Sequence, residues 1–161
     1  ADDAIRNLNR TFQKERFHPY CQNNLLQAIL EGKRLRARQN HIQVSYEILL
    51  PEELSVDTAD LSSVFFNLID NAIEACNASS STNPEIRLSA NISNGFLTVY
   101  MHNTKNPAQD FTHQTTKSES GSHGYGLSII EDICQKYNGS YQWINHGDVF
   151  DSIVLLQCNT L

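Results

Sequence analysis

The hydrophobic residues of this chain follow two spacings, and the spacing changes from block to block. Helical spacing predicts four helices, over residues 2–17, 22–40, 58–77 and 124–138. Strict alternation with polar residues predicts strands, over residues 42–49, 140–145 and 149–157 and in both arms of a hairpin at 85–102. Because such elements pack in layers, the pattern predicts an α+β domain with a mostly antiparallel sheet and helices on one face.

Capping and turn residues mark where several of these elements begin or end. Asp57 or Asp60 is expected to cap the helix over 58–77, and Ser93-Asn94-Gly95 predicts the hairpin turn. Asn138-Gly139 predicts the end of the last helix. In the helix over 22–40, the apolar side chains are expected to face the core: Leu25, Leu26, Ile29, Leu30 and Leu35.

The predicted helix over 2–17 has a thinner apolar stripe than the others. Ile5, Leu8 and Phe12 lie among many charged residues, and Pro19 follows the helix. Such a stripe suits a dimer seam or the stub of a longer helix. The chain starts with Ala, and no apolar run approaches the roughly 18–20 residues of a membrane-spanning helix. We therefore expect a piece of a longer protein, with any membrane part outside it.

The helix over 58–77 combines a wide apolar arc with a row of oxygen-bearing side chains. The arc contains the residues expected to pack on the sheet: Leu61, Val64, Phe65, Leu68, Ile69, Ala72, Ala75 and Cys76. Asn67 and Asn71 lie one turn apart at its edge and can point at one ligand. An amide oxygen suits Mg²⁺, with phosphates and waters completing the octahedron. Two plain surface amides are the alternative.

A long polar stretch, residues 104–123, precedes the last predicted helix. That helix opens with His123-Gly124-Tyr125-Gly126-Leu127. Glycines allow backbone to approach a phosphate closely, and a helix N-terminus presents free N–H groups to an anion. The stretch contains Thr115-Thr116-Lys117, whose lysine can fold over a triphosphate. A disordered surface loop with an ordinary glycine at a helix start is the alternative.

Charge is divided unevenly along the chain, whose net charge is −6. Residues 1–40 carry a net +4, and the remainder carries −10. An acidic main body argues against a nucleic-acid surface, because phosphate neutralisation needs clustered Lys and Arg. The basic cluster is expected to be a solvated helix face, or else a contact to phosphate or to a partner domain: Lys33, Arg34, Arg36 and Arg38.

The four cysteines show no metal-binding spacing. They form no Cys-x-x-Cys pair and have no histidine at ligand spacing: Cys21, Cys76, Cys134 and Cys158. We expect reduced, buried thiols of a cytosolic protein and no structural zinc site.

Two segments resemble the motifs of one superfamily. Phe66-Asn67-Leu68-Ile69-Asp70-Asn71-Ala72-Ile73-Glu74-Ala75 resembles the N box of the GHKL ATPases, which include gyrase, the ninety-kilodalton heat-shock chaperone, histidine kinases and MutL-type repair proteins. His123-Gly124-Tyr125-Gly126-Leu127 resembles the glycine box that follows the ATP lid of histidine kinases. Thr115-Thr116-Lys117 and Asn138-Gly139 are similar to the Agr-type receptor kinases for peptide signals. The resemblance covers roughly residues 21–158.

The resemblance implies the Bergerat fold, a two-layer α/β sandwich with a mixed sheet that binds Mg-ATP. It makes Asn71 the Mg²⁺ ligand and puts Asn67 where ATP-hydrolysing relatives have a catalytic Glu. An amide cannot take a proton from water, so hydrolysis of ATP should be poor. This suits a kinase, whose phosphoryl group must reach a histidine. Lys117 would stabilise phosphate charge. The remaining nucleotide-binding positions are implied to be Asn103, Thr116, His123, Gly124, Tyr125, Gly126 and Leu127.

One motif departs from the superfamily pattern. Many members have Asp-x-Gly-x-Gly after the hairpin, and the Asp binds the adenine amino group. This chain has His102-Asn103-Thr104-Lys105-Asn106, so Asn103 stands in place of the Asp and no glycine follows. An Asn oxygen can still accept a hydrogen bond from the amino group, so ATP stays the expected ligand.

The expected function is that of the catalytic domain of a two-component sensor histidine kinase, here residues 21–161. Residues 1–20 would be the tail of the dimerisation helix and a linker, with His18 a linker residue and the phosphoacceptor histidine absent. The implied partners are ATP, the dimerisation helix, a response-regulator receiver domain and a second copy in the full-length protein. The expected location is the cytoplasmic part of a membrane-bound sensor. An anti-sigma-factor-like serine kinase is one variant of this hypothesis, and a non-catalytic GHKL module used as a regulatory or interaction platform is the alternative.

Overall fold

The computed structural model describes residues 21–110 and 125–159. Three helices are present, α1 (Asn24–Gln39), α2 (Thr58–Ala78) and α3 (Tyr125–Lys136). The five strands are β1 (Gln43–Leu49), β2 (Glu85–Ser93), β3 (Phe96–Thr104), β4 (Ser140–Asn145) and β5 (Val149–Gln157). Within these ranges every predicted helix and strand is confirmed. The predicted helix over 2–17, and with it the domain boundary at residue 20, lies outside them.

The strands form one mixed sheet in the order β1-β2-β3-β5-β4. β1 pairs with β2 in parallel, and the other three pairings are antiparallel. The predicted mostly antiparallel sheet is therefore confirmed, as is the α+β class. The single parallel pair follows from the connection between β1 and β2, because α2 returns the chain to the end of the sheet at which β1 began.

The core lies between α2 and one face of the sheet. Alternation directs Leu88, Met101 and Val154 toward this face, and each is at most 1% exposed. The predicted apolar arc of α2 is buried there except for Ala75, which is half-buried at the margin. The amphipathic pattern of this helix is therefore what covers the central strands.

The orientation predicted for α1 is wrong at two residues. Leu25 is 49% exposed and Leu35 is 59% exposed, whereas Leu26, Leu30 and Ala37 are buried. Lys33 lies in the interface with α2, where an apolar residue would be expected, and its side chain is 11% exposed. A lysine can do this because its stem packs like a hydrocarbon while its ammonium finds a partner.

Two of the predicted local signals are confirmed in detail. Asp57 caps α2, with its Oδ1 accepting hydrogen bonds from the N–H groups of Ala59 at 2.8 Å and Asp60 at 3.4 Å. Asn94 and Gly95 form the β2–β3 turn with φ of +54° and +79°, the left-handed conformation that these residue types tolerate. The start of α2 and the turn between β2 and β3 are thus fixed by local interactions.

The four cysteines are free and buried, as predicted. Burial raises the pKa of the thiols of Cys76 and Cys134 to about 11, which keeps them protonated and unreactive. In the described ranges no group of three or more His, Cys, Asp or Glu side chains is arranged to hold a metal ion. No helix there is long and apolar enough to cross a membrane.

Candidate functional site

A cavity of about 420 Å³ opens between α2, the core face of β3 and β5, and the first turn of α3. It is lined by residues from these elements and from the segment after β3: Leu68, Asn71, Glu74, Ala75, Ala78, Asn103, Lys105, Gln109, Asp110, Leu127, Phe150 and Ser152. Three predicted site residues, Asn71, Asn103 and Leu127, are therefore brought together by the fold.

Asn71 faces the cavity from α2. Its side chain is half-buried and makes no hydrogen bond with the part of the chain that the structure describes. Because its oxygen and nitrogen are not engaged by the described chain, the amide is available to a ligand in the cavity. Glu74 lines the same wall and supplies a carboxylate. Asn71 can therefore offer its oxygen to a hard cation, and its role as the Mg²⁺ ligand stays a prediction.

Asn103 faces the cavity from β3 and is only 4% exposed. Its Nδ2 donates a hydrogen bond to the Thr104 carbonyl at 3.0 Å. This bond fixes the orientation of the amide and leaves Oδ1 as an acceptor without a partner among the described residues. Across the sheet Asn103 is paired with Phe150, whose ring lines the same cavity. The site thus combines one buried acceptor with an aromatic surface, an arrangement that suits a flat group bearing an amino function.

Asn67 lies one turn before Asn71 but is not among the residues that line the cavity. Its Nδ2 donates to the Ser63 carbonyl at 2.7 Å. A Cβ at Gly126 would lie 3.0 Å from its Oδ1, so the amide fills the contact between α2 and the start of α3. The two asparagines therefore differ in surroundings, with Asn71 open to the cavity and Asn67 held at the helix contact.

The remaining predicted site residues fall in or beside the segment that the structure does not describe. Tyr125 and Gly126 form the first turn of α3 next to Leu127, and the Tyr125 side chain is 70% exposed. The other four lie outside the described residues: Thr116, Lys117, His123 and Gly124. Their roles stay predictions.

α2 and α3 are joined at their far ends by polar contacts. Asp60 Oδ2 accepts hydrogen bonds from Lys136 Nζ at 2.6 Å and from the Tyr137 hydroxyl at 2.7 Å. These bonds, of which the one from Lys136 has the largest effect, hold the pKa of the Asp60 carboxyl below its usual value. The Tyr137 hydroxyl in turn accepts from the Asp57 N–H at 3.0 Å. This anchor joins the start of α2 to the end of α3, and none of its residues lines the cavity.

The basic cluster of α1 has a role within the domain that neither sequence-based alternative included. Lys33 Nζ and Arg36 Nη1 both bond to Asp70 Oδ1, the latter at 3.0 Å. Lys33 Nζ also lies 3.5 Å from the centroid of the Phe66 ring. Lys33 and Arg36 therefore form ion pairs with Asp70 of the N box. They do not form the expected solvated face or a contact to phosphate or a partner domain.

Sequence reasoning missed several residues of the cavity, most notably Lys105, Phe150 and Ser152. Alternation along β5 could have found the last two, since they share a face with buried Val154. Lys105 gave no periodic signal, because it follows the end of β3 and bonds to turns, one of them 42 positions away at Gly147.

Residues 56–157 match the description "GHKL domain", and this range is more than half of the chain. The chain belongs to the GHKL domain family. The match contains α2, the central hairpin, α3 and the last two strands, which are the elements that surround the cavity. No curated protein sequence is significantly similar to the chain.

The fold of this GHKL domain is shared with solved histidine kinases. The catalytic domain of the histidine kinase ThkA is 20% identical, with a TM-score of 0.65 over 84% of this chain and 90% of that one. The mycobacterial sensor histidine kinase MprB is 16% identical, with a TM-score of 0.61 over 85% and 95%. Full-length ShkA in complex with AMPPNP is 17% identical, with a TM-score of 0.65 over 85% and 30%. At these identities the similarity establishes the fold.

The predicted superfamily and its sandwich fold are therefore confirmed. The Agr-type subtype and the individual site residues stay predictions.

Proposed function

We propose that this chain is the catalytic, ATP-binding domain of a two-component sensor histidine kinase of the Agr type. One observation carries the proposal: Asn71 and Asn103 present amides with unused hydrogen-bonding capacity to a single cavity of about 420 Å³. Pockets of roughly 300–1,000 Å³ are typical for small-molecule ligands, so a nucleotide base and sugar fit. That ShkA, with the same fold, was solved with AMPPNP supports a nucleotide as the ligand.

The two asparagines would bind different parts of the nucleotide. Asn103 Oδ1 would accept a hydrogen bond from the adenine amino group, and Phe150 would pack against the ring. Asn71 Oδ1 would be the protein ligand of Mg²⁺, an ion that neutralises phosphate charge when bound. Its other ligands would come from phosphates and water.

The neighbouring residues fit a transferase better than a hydrolase. Asn67 has an amide where a general base would be needed to activate water, and its Nδ2 is already committed to Ser63. ATP should therefore persist until an acceptor histidine arrives. Thr116, Lys117 and the segment His123–Leu127 would contact the phosphates, as the family resemblance implies.

The partners of the full-length protein follow from the same proposal. The acceptor would be a histidine on a dimerisation helix, of which residues 1–20 would contain the tail. A receiver-domain aspartate of a response regulator would take the phosphoryl group next, and the full-length kinase would be a homodimer. The domain would lie on the cytoplasmic side of a membrane-bound sensor.

A non-catalytic GHKL module is the second candidate, and Asn103 is the observation that favours it. An amide replaces the charged acceptor of many relatives, which reduces the strength of the hydrogen bond to the base. If the loss is large, the cavity is a remnant and the domain serves as a regulatory or interaction platform.

Calorimetric titration with AMPPNP, with and without Mg²⁺, separates the two candidates. We expect saturable binding that strengthens with Mg²⁺ and that loses this Mg²⁺ dependence in Asn71→Ala. Asn77→Ala is the matched control, because Asn77 is an exposed asparagine of the same helix. Absence of binding at millimolar nucleotide would favour the non-catalytic module, and equal behaviour of the two variants would contradict the role of Asn71.

A further inference from the structure

Lys105 is buried beside the cavity, directly after the end of β3. It is 6% exposed and lines the same cavity as Asn103. Burying an ammonium group is costly unless its hydrogen bonds are satisfied. The contacts of this side chain show how the cost is met and what the side chain holds in place.

Every hydrogen bond of Lys105 Nζ goes to a backbone carbonyl oxygen. The acceptors are Asn106 at 3.0 Å, Gln109 at 2.8 Å and Gly147 at 3.0 Å. A lysine ammonium has three N–H donors, so none is left for a ligand in the cavity. Lys105 can therefore affect a ligand only through the backbone that it holds.

The three carbonyls belong to two turns that are distant in sequence. Asn106 and Gln109 lie in the turn after β3, and Gly147 lies in the turn between β4 and β5. The Lys105 N–H also donates to the Asp148 carbonyl at 2.8 Å. Two residues that line the cavity depend on these turns, since Gln109 lies in the first and Phe150 follows the second.

We propose that Lys105 is a positioning residue that ties these two turns together and so fixes the wall of the pocket that receives the nucleotide base. The inference rests on the proposed function, because Asn103 marks the base end of the cavity only if a nucleotide binds there. Lys105 sets the separation of Gln109 and Phe150 before the ligand arrives, and a preorganised wall strengthens binding by lowering its ordering cost.

The test compares four forms of the chain: wild type, Lys105→Met, Lys105→Arg and Lys136→Met. Each is titrated with Mg-ADP and with Mg-AMPPNP. Lys136→Met is the control, since it also removes one lysine, but one whose side chain is 60% exposed. We expect Lys136→Met to bind like wild type and both Lys105 variants to lose about tenfold in affinity. The loss should be the same for both nucleotides, because the wall contacts the base and not the phosphates.

Lys105→Arg separates position from charge. A planar guanidinium keeps the charge but cannot direct three N–H groups at three carbonyls as a tetrahedral ammonium does. Wild-type affinity in this variant, or a loss in Lys105→Met that grows with the number of phosphates, would overturn the proposal, since charge alone would then explain binding. Failure of both variants to fold would also overturn it, because Lys105 would then support the whole domain.

Amide hydrogen exchange supplies a readout that does not depend on nucleotide. In Lys105→Met, the amides of residue 105 and of Gln109 should exchange faster, because their acceptors are Asp148 and Asn106 in the joined turns. The amides of the β2–β3 ladder should be unchanged. Unaltered exchange in both turns would overturn the inference alone, whereas a wild-type chain that binds neither nucleotide would overturn the proposed function and the inference with it.

Discussion

Gly126 and Asn67 are in direct contact across the α2–α3 interface, so that a Cβ on Gly126 would lie 3.0 Å from Asn67 Oδ1. The amide cannot simply turn away, because its Nδ2 is bonded to the Ser63 carbonyl at 2.7 Å. The glycine of the last box and the first asparagine of the N box are therefore one packing unit.

Gly126→Ala should stabilise the domain in one background and not in the other. In wild type, the gain in helix propensity, up to about 1 kcal/mol, is offset by the crowding of Asn67, so the free energy of unfolding should not rise. In an Asn67→Ala background the crowding is gone, and the same substitution should stabilise the domain by several tenths of a kcal/mol. Urea denaturation of the four chains of this double-mutant cycle measures the coupling. Additive effects would contradict the contact.

The Asp70 carboxylate should matter more for stability than an exposed one. It joins Lys33 and Arg36 of α1 to α2, and its side chain and that of Lys33 are 26% and 11% exposed. We expect Asp70→Ala to lower the free energy of unfolding by about 2 kcal/mol, because it leaves a nearly buried ammonium without its carboxylate.

Arg87→Ala is the control for that measurement. It breaks the Arg87–Glu85 pair, in which the arginine side chain is 61% exposed. Little or no change in the free energy of unfolding is expected for such a surface pair. Chemical denaturation of both variants at neutral pH measures the difference, and equal destabilisation would show that the position of Asp70 between the helices has no special weight.

Asn103 should make the pocket selective for a base with an amino group. Its Nδ2 is held by the Thr104 carbonyl, so it presents an acceptor and not a donor. Wild type should prefer ATP to ITP, which has a carbonyl in place of the amino group, by about tenfold. Asn103→Ala should bind both nucleotides equally, whereas Asn71→Ala should bind both more weakly and keep the preference. Competition titrations measure these ratios, and a wild-type chain that does not distinguish ATP from ITP would contradict this role.

Local patterns in the sequence were sufficient to predict most of the fold. The helical period of α2, the alternation of the strands and the Asn94-Gly95 turn each act over a few residues, so their signals can be read directly. Asn71 was found for the same reason, since it lies at a fixed angle from the buried arc of its own helix, whereas Asn103 was indicated only by the family resemblance.

Two of the residues that were misplaced or missed from the sequence involve distant contacts. Leu35 was expected to face inward, yet it is exposed, and Lys33 lies in the interface instead, where it pairs with Asp70, 37 positions away. Lys105 is stabilised by the carbonyl of Gly147, 42 positions away. The periodicity of a sequence cannot predict the burial of a charged side chain whose partner lies in another element.

The Asp60 anchor between α2 and α3 should give the domain a defined loss of stability in acid. The pKa of Asp60 is lower in the folded chain than its usual value near 3.8, mainly because of the hydrogen bonds from Lys136 and Tyr137. Its stabilising effect is therefore complete above the unfolded pKa and disappears as pH falls through the lower, folded one. At neutral pH, Asp60→Asn should reduce the free energy of unfolding by about 1 kcal/mol, the usual magnitude for hydrogen bonds to a charged group with some exposure.

The pH dependence distinguishes this anchor from simple packing at the same position. The stability curves of wild type and Asp60→Asn should be separated by a constant amount above about pH 5 and should begin to converge below about pH 4. They should meet only below the lowered, folded pKa of Asp60, where its carboxyl is protonated in both states. Asp132→Asn, at an exposed position of α3, should give a curve that follows wild type throughout. Thermal or urea unfolding from pH 2 to pH 7 measures all three. A separation that persists unchanged into acid would mean that the Asp60 charge does not hold the two helices together, and that packing at this position explains the difference.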